Sequence, residues 1–414
     1  SRGLGDVYKR QHIKWAKLSR RYQMSNQNRT IYGGKVNREK PINFVFNGKS
    51  YIGYQGDTLA SALLANDVHL IGRSFKYHRA RGILTAGSEE PNAIVQLGLG
   101  ARTEPNIRAT EVELYEGLEA SSQNCWPSVN FDIGAMNNFL SRIFPAGFYY
   151  KTFKWPPSMW LFYEHFIRKA AGLGQSPTAK NPDRYEQKFY YTDITIVGGG
   201  ISGLLAALGA GRSGCKVLLI DENPELGGYL LDYNFSINEK DGKKWLKKII
   251  EELNSLANVT ILKRTTAMGY YDYNYLTALE KVTNHHVEFS NTLPRERYWR
   301  IRSKKVILAQ GAFERPLVFA DNDRPGIMMA SAGQKYLSRY GVLPGKSVVL
   351  FTNNDHAYLT AFEFVEKGAK VTVVDTRDLL NARISEKCKS LNITVFKSYS
   401  VIKTYGDKKV NRIE

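Results

Sequence analysis

Residues 191–221 read YTDITIVGGGISGLLAALGAGRSGCKVLLID: an apolar strand, a glycine turn, a helix, a second strand and a terminal acid. Ile194, Thr195, Ile196 and Val197 form a short β-branched strand, and Gly198, Gly200 and Gly203 follow at once with the spacing of a dinucleotide-binding turn. The first glycine permits the tight turn. The second leaves no side chain between backbone and phosphate, and the third lets the predicted helix, Ile201 to Arg212, pack closely on the sheet. Ile201 and Ser202 open that helix, where free N–H groups and the dipole face an anion, the dipole adding about 0.3 to 1 kcal/mol.

After Gly214 the strand Lys216 to Ile220 ends at Asp221, eighteen residues beyond Gly203. A carboxylate in that register accepts both hydroxyls of an adenosine ribose. A 2′-phosphate beside it would meet roughly 4 kcal/mol of repulsion per pair of unit charges at 4 Å, so NADP is rejected in favour of NAD or FAD. Those two share the same adenosine diphosphate half, and the ribose contact does not separate them. Glu222 is expected to face solvent or the helix. Gly227 and Gly228 either admit the diphosphate from the other side or make a plain turn after Asn223 and Pro224. Thr266 and Ala267 lie where related folds send backbone groups to the adenine, and Gly311 either passes the pyrophosphate or ends the strand Lys305 to Leu308.

With 414 residues, 43% of them hydrophobic and 12% aromatic, the chain can bury two or three cores. Fifty-eight Lys and Arg against 39 Asp and Glu give +19, but the cations are dispersed and accompany no nucleic-acid-binding motif, so no nucleic acid is expected. Cys125, Cys215 and Cys388 are odd in number and far apart, which suits a reducing cytoplasm and neither a disulfide framework nor a metal cluster. His285, His286 and His356 have no carboxylate or cysteine at ligand spacing in the sequence, so they are expected to be surface or core histidines and no metal is expected. Ser202 lacks the Gly-x-Ser-x-Gly elbow of a nucleophile, and the absence of Cys-x-x-Cys excludes disulfide reduction, so no residue is assigned a catalytic role. Ser1 to Lys17 is basic without an apolar core of seven residues, so it is not expected to be a signal peptide, and no apolar run of 18 residues occurs, so no membrane is expected. The aromatic stretch Phe139 to Ile167 is expected to pack on another domain, and Tyr270 and Tyr271 are expected in a core, with the lining of a cavity as the alternative.

Five segments follow: a basic tail (1–35), a β-grasp domain (36–125), an aromatic and proline-rich connector (126–190), a Rossmann domain (191–340) and a second Rossmann-like subdomain (341–414). Ile42, Phe44 and Phe46 alternate, Asn47-Gly48 offers a type I′ turn, Tyr51 to Tyr54 returns, and Asp57 or Thr58 caps a helix: the hairpin-then-helix opening of a β-grasp fold. A polar loop is expected from Gln175 to Gln187. Strand Ser347 to Phe351, helix Ala357 to Lys367 and strand Val371 to Val374 repeat the Rossmann rhythm, with Thr352, Asn353, Asn354 and Asp355 where glycines would stand. That second unit reads as unfinished at Glu414, as in the front part of a longer protein.

Ile71-Gly72-Arg73-Ser74-Phe75-Lys76-Tyr77-His78-Arg79, Arg81-Gly82-Ile83, Pro145-Ala146-Gly147-Phe148-Tyr149-Tyr150-Lys151, Trp155-Pro156, Asn181 to Glu186, Thr265-Thr266-Ala267 to Asp272 and Gly311 to Pro316 together resemble the alpha subunit of heterotetrameric sarcosine oxidase. The resemblance covers roughly residues 35 to 414. It implies an α/β chain: a ferredoxin-like β-grasp domain without its iron-sulfur cluster, then a two-dinucleotide-binding-domain flavoprotein fold, truncated at its C-terminus. The cysteine-free loop Asn66 to Leu84 agrees with the lost cluster.

The resemblance further implies NAD in this subunit, FAD in a flavin-containing beta subunit, FMN at the interface between them, and small subunits besides. Sarcosine is oxidised to glycine by the assembly, peroxide is formed and the one-carbon unit passes to folate, whose C-terminal binding region has no counterpart in these residues. Two alternatives stay open: an FAD-binding subunit of a related amine or opine dehydrogenase, and a non-catalytic scaffold whose dinucleotide is structural.

Overall fold

The computed structural model describes residues 27–142, 155–172, 174–237, 239–286 and 292–414. The Pro145 to Lys151 motif and most of the basic tail lie outside them. The chain divides into two units, one of Ser1–Lys180 with Arg315–Glu414, the other of Asn181–Glu314.

In the first unit, β1 (Asn37–Phe46) and β2 (Lys49–Gln55) form an antiparallel hairpin. Asn47 and Gly48 both take positive φ, 52° and 73°, as a type I′ turn demands. Thr58 caps α1 (Leu59–Ala65): its side chain accepts from Ser61 N, and Ser61 Oγ accepts from Thr58 N, a reciprocal box. Every residue of α1 is buried. With β3 (Ile94–Leu97), β4 (Glu104–Arg108) and β5 (Leu118–Ser122), the hairpin completes a sheet ordered β2-β1-β5-β3-β4, in which β1 and β5 run parallel. This is the β-grasp arrangement. The buried Glu90 carboxylate fastens the loop beneath it, accepting from the backbone N–H groups of Leu84, Thr85, Asn92 and Ala93.

The α2 helix (Trp160–Ala171) exposes Leu161, Phe162 and Phe166, and Phe139 is 88% exposed. Residues 143–154 of the aromatic stretch lie outside the described residues. From the other end of the chain, α5 (Ala330–Tyr340) belongs to this unit although it lies within the 191–340 stretch; Ala332 and Tyr336 join the β-grasp core, and Tyr336 donates to the Thr85 carbonyl at 2.9 Å. Beyond it, β12 (Ser347–Thr352), α6 (His356–Glu366), β13 (Lys370–Asp375), α7 (Ala382–Ser390) and β14 (Thr394–Lys397) build a parallel three-stranded sheet in chain order.

The second unit holds a six-stranded sheet. Its strands are β6 (Tyr185–Val197), β7 (Val217–Ile220), β8 (Val259–Leu262), β9 (Thr265–Tyr271), β10 (Tyr275–Lys281) and β11 (Glu296–Leu308), ordered β8-β7-β6-β11-β10-β9. The first four in that order are parallel; β10 and β9 close it as an antiparallel meander. All four residues of β7 are buried, as a parallel strand covered on both faces requires. The α3 helix (Ile201–Arg212) lays Leu204, Ala207, Leu208 and Gly211 against the sheet, a helical i, i+3, i+4, i+7 stripe, and α4 (Gly242–Ser255) adds Leu246, Ile249 and Leu253.

Two expectations are corrected here. Tyr185 to Gln187 are strand and not loop, because β6 extends beyond its buried half to pair with Glu296 to Tyr298. Tyr270 and Tyr271 are exposed by more than half, since β9 is the edge of the sheet.

Candidate dinucleotide site

The site lies at the C-terminal ends of β6, β7 and β11, where open parallel sheets bind their ligands. Gly198 leaves β6 at φ +105°, and a Cβ there would collide with the Ala309 carbonyl at the end of β11. A Cβ on Gly203 would run into the Gly198 carbonyl. These two glycines are thus demanded by the turn and by helix-to-strand contact. Gly200 differs. A Cβ on it would meet nothing within 4 Å, and it is the N-cap of α3 with no side-chain cap bond, so the first helical turn with half-buried Ile201 and exposed Ser202 opens toward free space.

Gly227 and Gly228, at φ +130° and +51°, come from the loop after β7 to face this turn. Gly227 N donates to the Gly199 carbonyl at 2.8 Å, and a Cβ on Gly228 would stand 3.2 Å from Gly200 Cα. The two glycine loops therefore pack directly on each other. Tyr229 follows, stacked on Tyr233 with ring centroids 4.8 Å apart; burial pushes its hydroxyl pKa up, reinforced by the charges of Glu314 and Asp232.

At the end of β7, half-buried Asp221 accepts from Gly199 N at 2.6 Å through Oδ2 and from Asn223 N and Nδ2 at 2.7 and 3.0 Å through Oδ1. Its backbone carbonyl accepts from Thr265 N, which draws the start of β9 to the site and sets half-buried Thr266 and Ala267 beside it. Glu222 is exposed. Gly311 follows β11 at φ +77°, exposed, with nothing within 4 Å of a built Cβ.

The arrangement fits the adenosine-diphosphate half of a dinucleotide: an open helix N-terminus beside two glycine turns, with a carboxylate on one flank. Sequence reasoning missed Gly199, whose Cβ would lie 2.5 Å from Leu226 and 3.0 Å from Asp221 Oδ2. The uninterrupted run Gly198-Gly199-Gly200 was the available signal. It also missed Asn223 and Tyr229, which no local pattern marks.

The second Rossmann-like unit is built differently. Asp375, at the end of β13, is fully buried and accepts from Tyr358 Oη and from the Arg377 backbone and guanidinium, while Arg377 also binds Asp355. Its acid is closed by protein donors.

Residues 193–289 match the FAD dependent oxidoreductase family, and residues 39–125 the 2Fe-2S iron-sulfur cluster binding domain. Across 383 residues, 92% of the chain, 50% are identical to the sarcosine oxidase subunit alpha of Rhizobium meliloti (strain 1021). Over most of its length the chain is similar to sarcosine oxidase alpha subunits. The subunit alpha of Corynebacterium sp. (strain U-96) is 33% identical over 91% of the chain. The chain spans 38% and 34% of the lengths of these two relatives. L-proline dehydrogenase from P. horikoshii shares the fold over 91% of this chain and 57% of its own, with a TM-score of 0.55 at 19% identity.

A two-iron cluster does not fit residues 39–125 of this chain. Cys125 is the one cysteine in residues 39–125, where four ligands are needed. Protein bonds hold the loop instead: Arg73 donates to the carbonyls of Val129 and His78, and the His78 ring pairs with the buried Asp132 carboxylate at 2.7 Å. No group of three potential metal ligands occurs among the described residues, and no helix among them is long and apolar enough to cross a membrane.

Proposed function

We propose that this chain is part of the alpha subunit of a hetero-oligomeric sarcosine oxidase of the cytoplasm, and that it binds NAD. The observation that carries the reading is 50% identity to a sarcosine oxidase subunit alpha across a chain whose glycine loops and Asp221 form a dinucleotide cradle. Gly198, Gly200, Ile201, Ser202 and Gly203 would hold the pyrophosphate on the first turn of α3, with Gly227 and Gly228 closing over it and Gly311 beside it. Asp221 would accept the adenosine ribose and disfavour a 2′-phosphate, Thr266 and Ala267 would border the adenine, and Glu222 would stay at the rim. A bound nicotinamide supplies a hydride acceptor. Oxidation of sarcosine to glycine is assigned to flavin in a partner beta subunit, with small subunits completing the complex, FMN at an interface and folate served by a further region.

A second reading places FAD in this same cradle. The match of residues 193–289 to FAD dependent oxidoreductases favours it, and the ribose and diphosphate contacts would be unchanged. Purifying the intact complex from its native cell and assaying sarcosine-dependent oxygen uptake tests the function. Uptake with a co-purifying flavoprotein subunit is expected; a complex that consumes no oxygen with sarcosine overturns the assignment.

A further inference from the structure

We infer that Asn223 competes with the ribose for Asp221, and so sets how many ribose hydroxyls that acid accepts; the inference rests on the dinucleotide reading above. An ionised carboxylate offers about four lone-pair positions. Three are taken here, by Gly199 N on Oδ2 and by Asn223 N and Nδ2 on Oδ1. An adenosine ribose presents two hydroxyl donors. Both can be accepted by Asp221 only if one present donor withdraws.

Two of the three donors are backbone groups in tied loops. Gly199 sits in the turn that Gly227 N clasps through the Gly199 carbonyl, and the Asn223 carbonyl accepts from Arg264 N at 3.2 Å. Moving either donor means moving its loop. The Asn223 carboxamide, on a half-buried side chain with rotatable bonds, can leave alone. It is also dispensable for orienting Asp221, because the two backbone N–H groups already hold one carboxylate oxygen each. Its hydrogen bond is the one that the second ribose hydroxyl replaces.

Truncating Asn223 therefore strengthens ribose binding. The test titrates ADP-ribose and its 2′-deoxy analogue by calorimetry into the chain after charcoal removal of nucleotide. Asn223→Ala is expected to bind ADP-ribose about two- to tenfold tighter, the worth of one net hydrogen bond. Loss of the 2′-hydroxyl is expected to cost the unchanged chain less than about threefold and Asn223→Ala more than that. Equal or weaker binding by Asn223→Ala overturns the inference. So does a 2′-deoxy penalty of tenfold or more in the unchanged chain, a readout that needs no variant to fold. Asp221→Ala separates this failure from that of the underlying reading. If the chain binds no ADP-ribose, or Asp221→Ala binds it undiminished, the dinucleotide reading fails; if Asp221→Ala weakens binding and Asn223→Ala does not strengthen it, the competition alone fails.

Discussion

Gly228 approaches Gly200 so closely that a Cβ on the former would stand 3.2 Å from the Cα of the latter. Residues 28 positions apart thus bring two glycine turns together, backbone against backbone. The two positions nevertheless answer to different demands. Gly228 has φ +51° and a crowded side, while Gly200 has ordinary φ and open space.

That difference separates binding from folding. Gly200→Ala places a methyl group in open space and exchanges one N-cap residue for a poorer one, so stability falls by about 1 kcal/mol or less. Dinucleotide affinity falls at least about tenfold, because the methyl group stands where the diphosphate must approach the helix. Thermal denaturation and calorimetric titration of the same preparation measure both.

Gly203→Ala should act in the opposite order. Its Cβ collides with the Gly198 carbonyl, a backbone atom that cannot rotate aside, and the expected destabilisation is about 1–3 kcal/mol despite the better helix propensity of alanine. Chemical denaturation followed by tryptophan fluorescence reports it.

The glycine turn, the strand ending at Asp221 and α3 were legible because a tight turn and close helix packing each restrict residue type at fixed local spacing. The hairpin at Asn47-Gly48 and the Thr58 cap were legible for the same reason. What remained unread depends on distant parts of the chain. Nothing local states that Gly228 returns to Gly200, that Asn223 occupies Asp221, or that α5 joins the β-grasp core through Tyr336. The acid at Asp375 shows the limit clearly: it stands at a Rossmann position, and only the fold reveals that Arg377 and Tyr358 close it.

Asp375 also gives the second α/β unit a pH signature. Burial pushes its carboxyl pKa up, but hydrogen bonds from Arg377 and Tyr358 outweigh this and hold it below the usual range. A depressed folded-state value contributes stability that is fully present above the unfolded pKa of about 3.9 and lost as pH falls through the folded one. Melting temperature should therefore fall as the pH drops below about 4. In Arg377→Gln the lowering is relieved and the acid loss attributable to Asp375 shrinks, while stability at neutral pH drops. Thermal scans from pH 7 to 3 on both proteins check this.

Glu90 offers a test in the β-grasp domain. Each of its two carboxylate oxygens accepts from two backbone N–H groups, so Glu90→Gln turns one oxygen into a donor facing two donors. At about 1–3 kcal/mol for each of the two unsatisfied donors, a loss of about 2–6 kcal/mol is expected, read by chemical denaturation.

The central claim is that the cradle of Gly198, Gly200, Gly203 and Asp221 carries NAD. The most direct measurement denatures the purified protein and identifies the released nucleotide by chromatography and visible absorbance. Colourless NAD is expected in near-stoichiometric amount from the unchanged chain and is expected to be lost from Gly200→Ala. A yellow FAD retained by this chain, or no adenine dinucleotide at all, contradicts it.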